Sequence, residues 1–412
     1  MADFIQTLHW LWAKLPLVLL FINGYLVYRV LDVTGLTEHF VLKAVRKSKG
    51  RVPLLLFMVM TVAAGLSLFI PNMITVLTLL PVLKLLDSQI NNKCDFHLTT
   101  PLTLATVYGA NVGGMGSLIG SPANLFLLGV LEMYGVEGRE AISFFNWFMW
   151  ALPLVLVLIS VGWLLLIYGA CSKKARTGSI CLQGLRQSDE PTQWQRSALL
   201  LFIGFLMFWI GDGVLAELWD GYASYRQVSC IAFFGYFVLL AFFKSGPPCY
   251  PSSVPLLRVK DLTGGVPLRG GVFLIALVAI VGLLRYFKAE QYVLGFGQQL
   301  MEIGNAWLLT AALVFLVVLF TEIFSNTLVS TTFFALSYGI SMELGINPIP
   351  VMVGVSIAST CAFMTPVATP CNALAFGEMR GLRIRRVVLL GLIYNVITCS
   401  LITLWVNSYI PY

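Results

Sequence analysis

Charge is what this sequence has least of. Of its 412 residues only 11% are Asp, Glu, Lys or Arg, against 58% hydrophobic ones, whereas a soluble domain carries roughly a quarter charged residues. A chain this poor in charge cannot cover its own surface against water. A water-soluble fold is thereby excluded, and with a mean hydropathy of +0.86 the bilayer is the solvent that fits. Long polar stretches are missing too. The longest connections, about 171–193 and 245–269, leave no room for a large aqueous domain. Paired cysteines are absent: the eight occur singly, mostly in apolar segments, without a CxxC, and read as reduced, small apolar residues. The three histidines, His9, His39 and His97, are too scattered to indicate a metal site. No HExxH, GxSxG, Walker A loop or GxGxxG after a strand is present, so ATP-driven chemistry within the chain, an enzymatic role and a resident cofactor are not expected. No nucleic-acid partner is expected either. There is no Asn-x-Ser/Thr sequon, which fits a bacterial inner membrane, and no cleavable signal is read at the N-terminus.

What is abundant is apolar sequence in bilayer-sized pieces. Spanning segments are expected near 15–31, 101–134, 143–170, 195–216, 226–244, 270–288, 348–378 and 386–409, each long enough for a ~30 Å core. Two further stretches, 52–86 and 303–342, are too long for one crossing. If 15–31 runs from outside to inside and 52–86 returns to the side it entered from, 20 of the 26 basic residues become cytoplasmic, including Lys43–Arg51, Lys173–Arg176 and Arg380–Arg386. The outer loops then keep mainly acids such as Glu132, Glu217, Glu302 and Glu343. This is the positive-inside bias, and it places the N-terminus outside.

The two long stretches each carry one polar break. In 52–86, between Arg51 and Lys84, it is Ile70-Pro71-Asn72-Met73; each arm is about 16 residues, roughly 24 Å as helix and short of a full crossing. In 303–342, between Glu302 and Glu343, it is Phe324-Ser325-Asn326-Thr327. Both are expected to be re-entrant helical hairpins, entering from opposite faces; a kinked spanning helix is the alternative. Each is followed by a broken segment, Gly113–Asn124 after the first and Ser359–Asn372 after the second. The two breaks share a core of hydroxyl–Pro–x–Asn: Ser121-Pro122-Ala123-Asn124 and Thr369-Pro370-Cys371-Asn372. Mid-membrane Gly and Pro free backbone groups that lipid cannot satisfy, so such breaks survive where they line a polar cavity. Paired interruptions in corresponding halves point to a transporter binding site. Half-helix N-termini suit an anion, and carbonyl, Asn and Ser/Thr oxygens suit a hard cation such as Na⁺.

These elements resemble the divalent anion–sodium symporter family of the ion transporter superfamily. The strongest match is Ser325-Asn326-Thr327 followed by Ala362–Ala373, with the Gly113–Asn124 run as its first-half equivalent; the likeness covers roughly residues 15 to 410. It implies an all-α polytopic elevator-type carrier, usually a homodimer, with an inverted repeat, two re-entrant hairpins and two broken transmembrane helices. The implied division is 1–51 (first spanning and interfacial helices), 52–134 (first hairpin and broken helix), 135–300 (scaffold helices), 301–381 (second hairpin and broken helix) and 382–412 (last spanning helix). Carried over residue by residue, sodium site one would use Ser67, Asn72 and backbone from Gly114 to Gly120. Site two would use Thr321, Asn326 and the Ala368 backbone. Substrate contacts would fall on Asn72, Ser121, Pro122, Asn326, Thr327, Thr369 and Pro370. The chain departs from the family in two ways. Its first tip reads Pro71-Asn72-Met73 where the family has Ser-Asn-Thr, which removes hydroxyls worth about 1–3 kcal/mol each in a buried site and favours a smaller or monovalent anion. Its first half also has one segment, 15–31, before the hairpin where the second half has three; Thr37–Arg51 resembles the interfacial helix of the family.

Glu322 stands four residues before Asn326, one turn down the hairpin arm. An intramembrane carboxylate is a functional candidate, here for proton coupling or as a further cation ligand; a solvated structural position near the outer mouth is the other reading. Asp212 is expected as a solvated cap or structural partner. Arg29 and Asp32 are expected to pair, and Arg285 and Lys288 to snorkel. The pattern therefore implies a cation-coupled secondary carrier of a small anion. A Na⁺/H⁺ antiporter using Glu322, a channel and a membrane-embedded enzyme are the rival classes.

Overall fold

A computed structural model describes residues 2–93, 96–180, 190–243, 255–263, 305–366, 368–379 and 381–410. The 270–288 segment, Arg285, Lys288, Glu302 and three of the cysteines lie outside the described residues. In chain order the helices are α1 (Ala2–Val33), α2 (Leu36–Lys47), α3 (Val52–Ser67), α4 (Asn72–Lys93), α5 (Thr99–Gly114), α6 (Pro122–Met133), α7 (Phe144–Leu165, continued by a π turn, Leu166–Ala170), α8 (Lys173–Thr177), α9 (Gln193–Leu218), α10 (Arg226–Phe242) and α11 (Val259–Thr263). Then come α12 (Ala306–Thr321), α13 (Asn326–Glu343), α14 (Pro348–Ala358), α15 (Pro370–Glu378) and α16 (Ile384–Tyr409). No strand occurs among the described residues. Leu15–Val33, Asn72–Ile90, Phe144–Ala170, Gln193–Leu218 and Ile384–Tyr409 are long and apolar enough to cross a membrane. This is a multi-pass membrane protein.

The chain divides into two compact units. The first comprises Met1–Phe40, Ser143–Asn146 and Gln187–Arg269. Arg29 of α1 pairs with Asp32 at 2.8 Å, as the i,i+3 spacing predicts, and also donates from Nε to the Asp261 carbonyl at 2.9 Å. The start of α9 carries a capping box in which Thr192 and Gln195 bond each other's backbone; the Gln195 amide also reaches the Thr34 carbonyl at 3.3 Å. Asp212 is not solvated. It is buried against Arg226, whose Nη2 and Nε both reach its carboxylate (2.7 and 3.0 Å), while the Tyr222 hydroxyl donates at 3.1 Å.

The second unit comprises Val41–Ile142, Trp147–Arg186 and Gly270–Tyr412. Glycine spacing fixes its tightest packing, that of α3 on α5. A Cβ on Gly109 would lie 2.4 Å from the Met60 carbonyl oxygen, and one on Gly113 only 2.2 Å from that of Ala64. Two glycines one helical turn apart let the backbones touch, the small-xxx-small device of membrane helices. Every residue of α5 and of α14 is buried. At 16 and 11 residues they are about 24 and 16 Å long, too short to cross alone. The helices flanking the first polar break differ from expectation in one respect. α3 has 16 residues as expected, but α4 runs for 22 because its helix continues past the apolar part through Asp87–Lys93.

Candidate functional site

The first broken helix stops at Gly113-Gly114 and the second at Ala358, and each restarts at a proline that sits at the first helical position, where its missing N–H is not needed. Ser121 caps α6, its Oγ accepting from the Ala123 N–H at 3.3 Å; Thr369 caps α15, its Oγ1 accepting from the Asn372 N–H at 3.2 Å. Pro122 and Pro370 are exposed beside these buried caps. The freed carbonyls are collected by buried asparagines. The Asn124 amide donates to the carbonyls of Gly114 (3.2 Å) and Ser117 (2.7 Å), ten and seven residues back. The Asn372 amide donates to those of Ala362 (2.9 Å) and Thr365 (3.0 Å), again ten and seven residues back. The Oδ1 of each accepts from the other half of the sequence: Ser356 reaches Asn124 at 2.9 Å, and Asn111 reaches Asn372 at 3.1 Å.

The two residues expected at hairpin tips, Asn72 and Asn326, each accept the same kind of bond. Ser67 Oγ donates to Asn72 Oδ1 at 2.5 Å, and Thr321 Oγ1 to Asn326 Oδ1 at 2.8 Å, each across five residues. The residues expected at sodium site one are brought together. A Cβ on Gly114 would lie 2.8 Å from Asn72 Oδ1, and one on Gly120 would lie 2.8 Å from the Gly114 carbonyl oxygen, 2.9 Å from that of Ser67 and 3.1 Å from that of Leu68. Only glycine leaves this oxygen-rich cradle open. Of the residues expected at site two, Thr321 lies 2.8 Å from the Ser359 carbonyl oxygen as well as beside Asn326, and Ala368 is buried next to the cap Thr369. Asn326 and Thr327 are half-buried at the start of α13, and Asn72 is half-buried at the start of α4.

Glu322 is 1% exposed, not solvated. Its Oε1 accepts from the N–H groups of Phe363 (2.7 Å) and Met364 (2.8 Å) and from Asn395 Nδ2 (2.7 Å); Oε2 accepts from the Thr365 N–H at 2.7 Å. The carboxylate therefore occupies the donors left by the second break, and the Thr365 hydroxyl donates in turn to the Glu322 carbonyl. Through Thr365, Asn372 and Asn111 this latch is continuous with Asn72, so one polar network joins the first tip to the arm of the second.

Asn111 and Asn395 carry this network, Ser356 holds Asn124, and none of the three was singled out by the sequence. A lone Asn in a membrane helix is the available signal, but nothing local names its partner.

The family model for a citrate transporter matches residues 4–341 of the chain. The sodium-dependent dicarboxylate transporter SdcS of Staphylococcus saprophyticus is 26% identical over 96% of this chain and 76% of its own length. The sodium-dependent high-affinity dicarboxylate transporter 3 of Caenorhabditis elegans is 25% identical over 94% of this chain and 73% of its own. The crystal structure of the Alcanivorax borkumensis YdaH transporter, described as having an unusual topology, superposes with a TM-score of 0.63, 15% identity, and coverage of all of this chain and 89% of that one, which shows a shared fold. With helices broken and capped in this way and a family match over most of its length, the chain belongs to the citrate transporter family, among the divalent anion–sodium symporters of the ion transporter superfamily.

Proposed function

We propose that this protein is a Na⁺-coupled secondary active transporter of a small inorganic or organic anion. The observation that carries the reading is the duplicated geometry: two hydroxyl–Asn tips at a five-residue offset, and two capped breaks whose Asn collects carbonyls ten and seven residues back. Backbone and side-chain oxygens around Ser67, Asn72, Gly114 and Gly120 form one cation site. Thr321, Asn326 and Ala368 form the other. The α6 and α15 N-termini, with Ser121, Pro122, Thr369 and Pro370, face the anion together with Asn72, Asn326 and Thr327. Helix N-termini supply partial positive charge to that anion at no cost in buried side-chain charge.

The named relatives carry dicarboxylates with sodium. Here Pro71 and Met73 flank Asn72, and neither brings a hydroxyl to a second carboxylate. The substrate is therefore a smaller or monovalent anion, such as a monocarboxylate. Segments 52–134 and 301–381 move as an elevator against the scaffold of 1–51 and 135–300, in a homodimer in the inner membrane with its N-terminus outside. Each net positive charge carried inward across 100 mV contributes about 2.3 kcal/mol to accumulation.

The test is uptake into proteoliposomes under an imposed Na⁺ gradient, across a panel of mono- and dicarboxylates. Asn326→Ala abolishes Na⁺-dependent uptake and leaves folding nearly intact. Wild-type rates from that variant remove Asn326 from the site. Na⁺ movement against a pH gradient without any anion selects the antiporter instead, a reading favoured only by the burial of Glu322 one turn from Asn326.

A further inference from the structure

We infer that Asn111, a residue outside both sodium sites, is the positioning residue that turns the Asn72 oxygen toward sodium site one, and that it does so under the control of the second broken helix. The inference rests on the transport reading above.

A primary amide has one accepting oxygen and one donating nitrogen, and which end faces which neighbour is decided by the least flexible partner. The rigid partner here is the Ala362 carbonyl, which can only accept. Asn111 Nδ2 lies 2.6 Å from that oxygen, so the NH₂ group of Asn111 must point there. The same NH₂ reaches Asn372 Oδ1 at 3.1 Å, and that oxygen is in turn fixed, because Asn372 Nδ2 is committed to the carbonyls of Ala362 and Thr365. Asn111 Oδ1 must then point the other way. It accepts from Asn72 Nδ2 at 3.2 Å and from the Cys371 thiol at 3.3 Å. With its nitrogen held by Asn111, Asn72 has only its oxygen to present to Ser67 and Gly114, where the cradle of site one lies.

Three links therefore run without a free rotation, from the Ala362 carbonyl to Asn111, from Asn111 to Asn72 and from Asn72 to the cation site. Asn111 and Asn372 are wholly buried, so no water replaces a lost partner. If Asn111 is removed, the Asn72 amide can flip and offer an NH₂ group, which cannot ligate a cation. The link also spans the sequence, since Asn111 lies 39 residues from Asn72, 251 from Ala362 and 261 from Asn372. A movement of the Ala362–Asn372 break, where the anion contacts lie, therefore alters the orientation of a sodium ligand in the other half. This gives a physical route for coupling the two solutes, since any change one ligand makes in the other's affinity is reciprocal.

The test uses the full-length protein in detergent, with thermal unfolding followed as NaCl replaces choline chloride at constant ionic strength. Wild type shows a saturable Na⁺-dependent rise in melting temperature. Asn111→Ala moves the midpoint of that response to at least about tenfold higher Na⁺, the loss expected when an outer-shell partner is removed. Asn111→Ser, whose hydroxyl is too short to reach Asn72, does the same and provides the reading should the Ala variant not fold. Asn111→Asp keeps an acceptor for Asn72 but sets an oxygen against the Ala362 carbonyl and Asn372 Oδ1 in place of the NH₂ group, so it loses the anchor and weakens the response as Ala does. A merely structural residue would lower the melting temperature at every salt level without moving the midpoint, as Asp212→Ala does in the other unit. That result for Asn111→Ala, or an Asp variant with the wild-type midpoint, overturns the inference and leaves the transport reading standing. A wild-type protein with no Na⁺ response removes both.

Discussion

Replacing Glu322 separates a latch from a proton carrier. The carboxylate accepts four hydrogen bonds of 2.7–2.8 Å, three of them from consecutive backbone N–H groups of the second break. Bonds to a charged group are worth about 1.5–3 kcal/mol each, and each buried donor left bare costs about 1–3 kcal/mol. Glu322→Ala leaves all four donors bare. Even allowing for strong non-additivity it loses on the order of 4 kcal/mol or more, against a total stability of about 5–15 kcal/mol. Glu322→Gln is a finer probe. An amide oxygen in the Oε1 position keeps Phe363, Met364 and Asn395, and only the Thr365 N–H is left opposing an NH₂ group. The expected loss is about 2–3 kcal/mol. Thermal unfolding in detergent should rank wild type above Gln above Ala, with the Ala variant lower by roughly 5 °C or more. If Glu322→Ala melts within a degree of wild type, the latch does not exist. If Glu322 carries a proton in each cycle, Glu322→Gln also erases the pH dependence of uptake, whereas a purely positioning role leaves that dependence in place.

Two other substitutions probe the packing of the separate units. Gly113→Ala would set a methyl 2.2 Å from the Ala64 carbonyl oxygen and 2.6 Å from its Cα; since neither is a flexible side chain, α3 must move off α5, at a cost of about 1–3 kcal/mol. A melting-temperature drop with reduced uptake is expected, and a neutral outcome would show that the two helices are not in backbone contact. Asp212→Ala leaves the Arg226 guanidinium without its bidentate partner. As the pair is buried on the Asp side and one-third exposed on the Arg side, the cost falls below the 3–5 kcal/mol typical of a fully buried pair, at about 2 kcal/mol; it shows in unfolding measurements and leaves Na⁺ affinity unchanged.

The sequence announced the membrane, the spans near 15–31, 143–170, 195–216 and 386–409 and the interruptions, but not that Asn72–Ile90 is long enough to cross, because in lipid a polar residue or a proline in an apolar run has few explanations. Ser121-Pro122 and Thr369-Pro370 were legible as half-helix starts for that reason, and the equal spacing of Ser67–Asn72 and Thr321–Asn326 anticipated the matching bond each pair makes. Arg29 and Asp32 were legible because helical geometry sets their distance. Partners chosen by tertiary packing were not legible. Nothing around Asn111 points 251 residues ahead to Ala362, nor does Asn395 announce Glu322 from 73 residues away. Asp212 was readable as a solvated cap or a structural partner from its place near the helix end, but only the fold shows that it is the partner, with Arg226 and Tyr222 closing over it from the following turn. The length of α4 was underestimated because hydropathy ends where the apolar residues do, whereas helix propensity does not.

The interrupted segments bring much of their own solvation with them. The carbonyls of Gly114, Ser117, Ala362 and Thr365 and the N–H groups of Phe363, Met364 and Thr365 are answered by Asn124, Asn372 and Glu322, all of the same unit. Those peptide groups therefore need neither water nor headgroups to answer them, and a thicker or thinner bilayer would leave their hydrogen bonding unchanged.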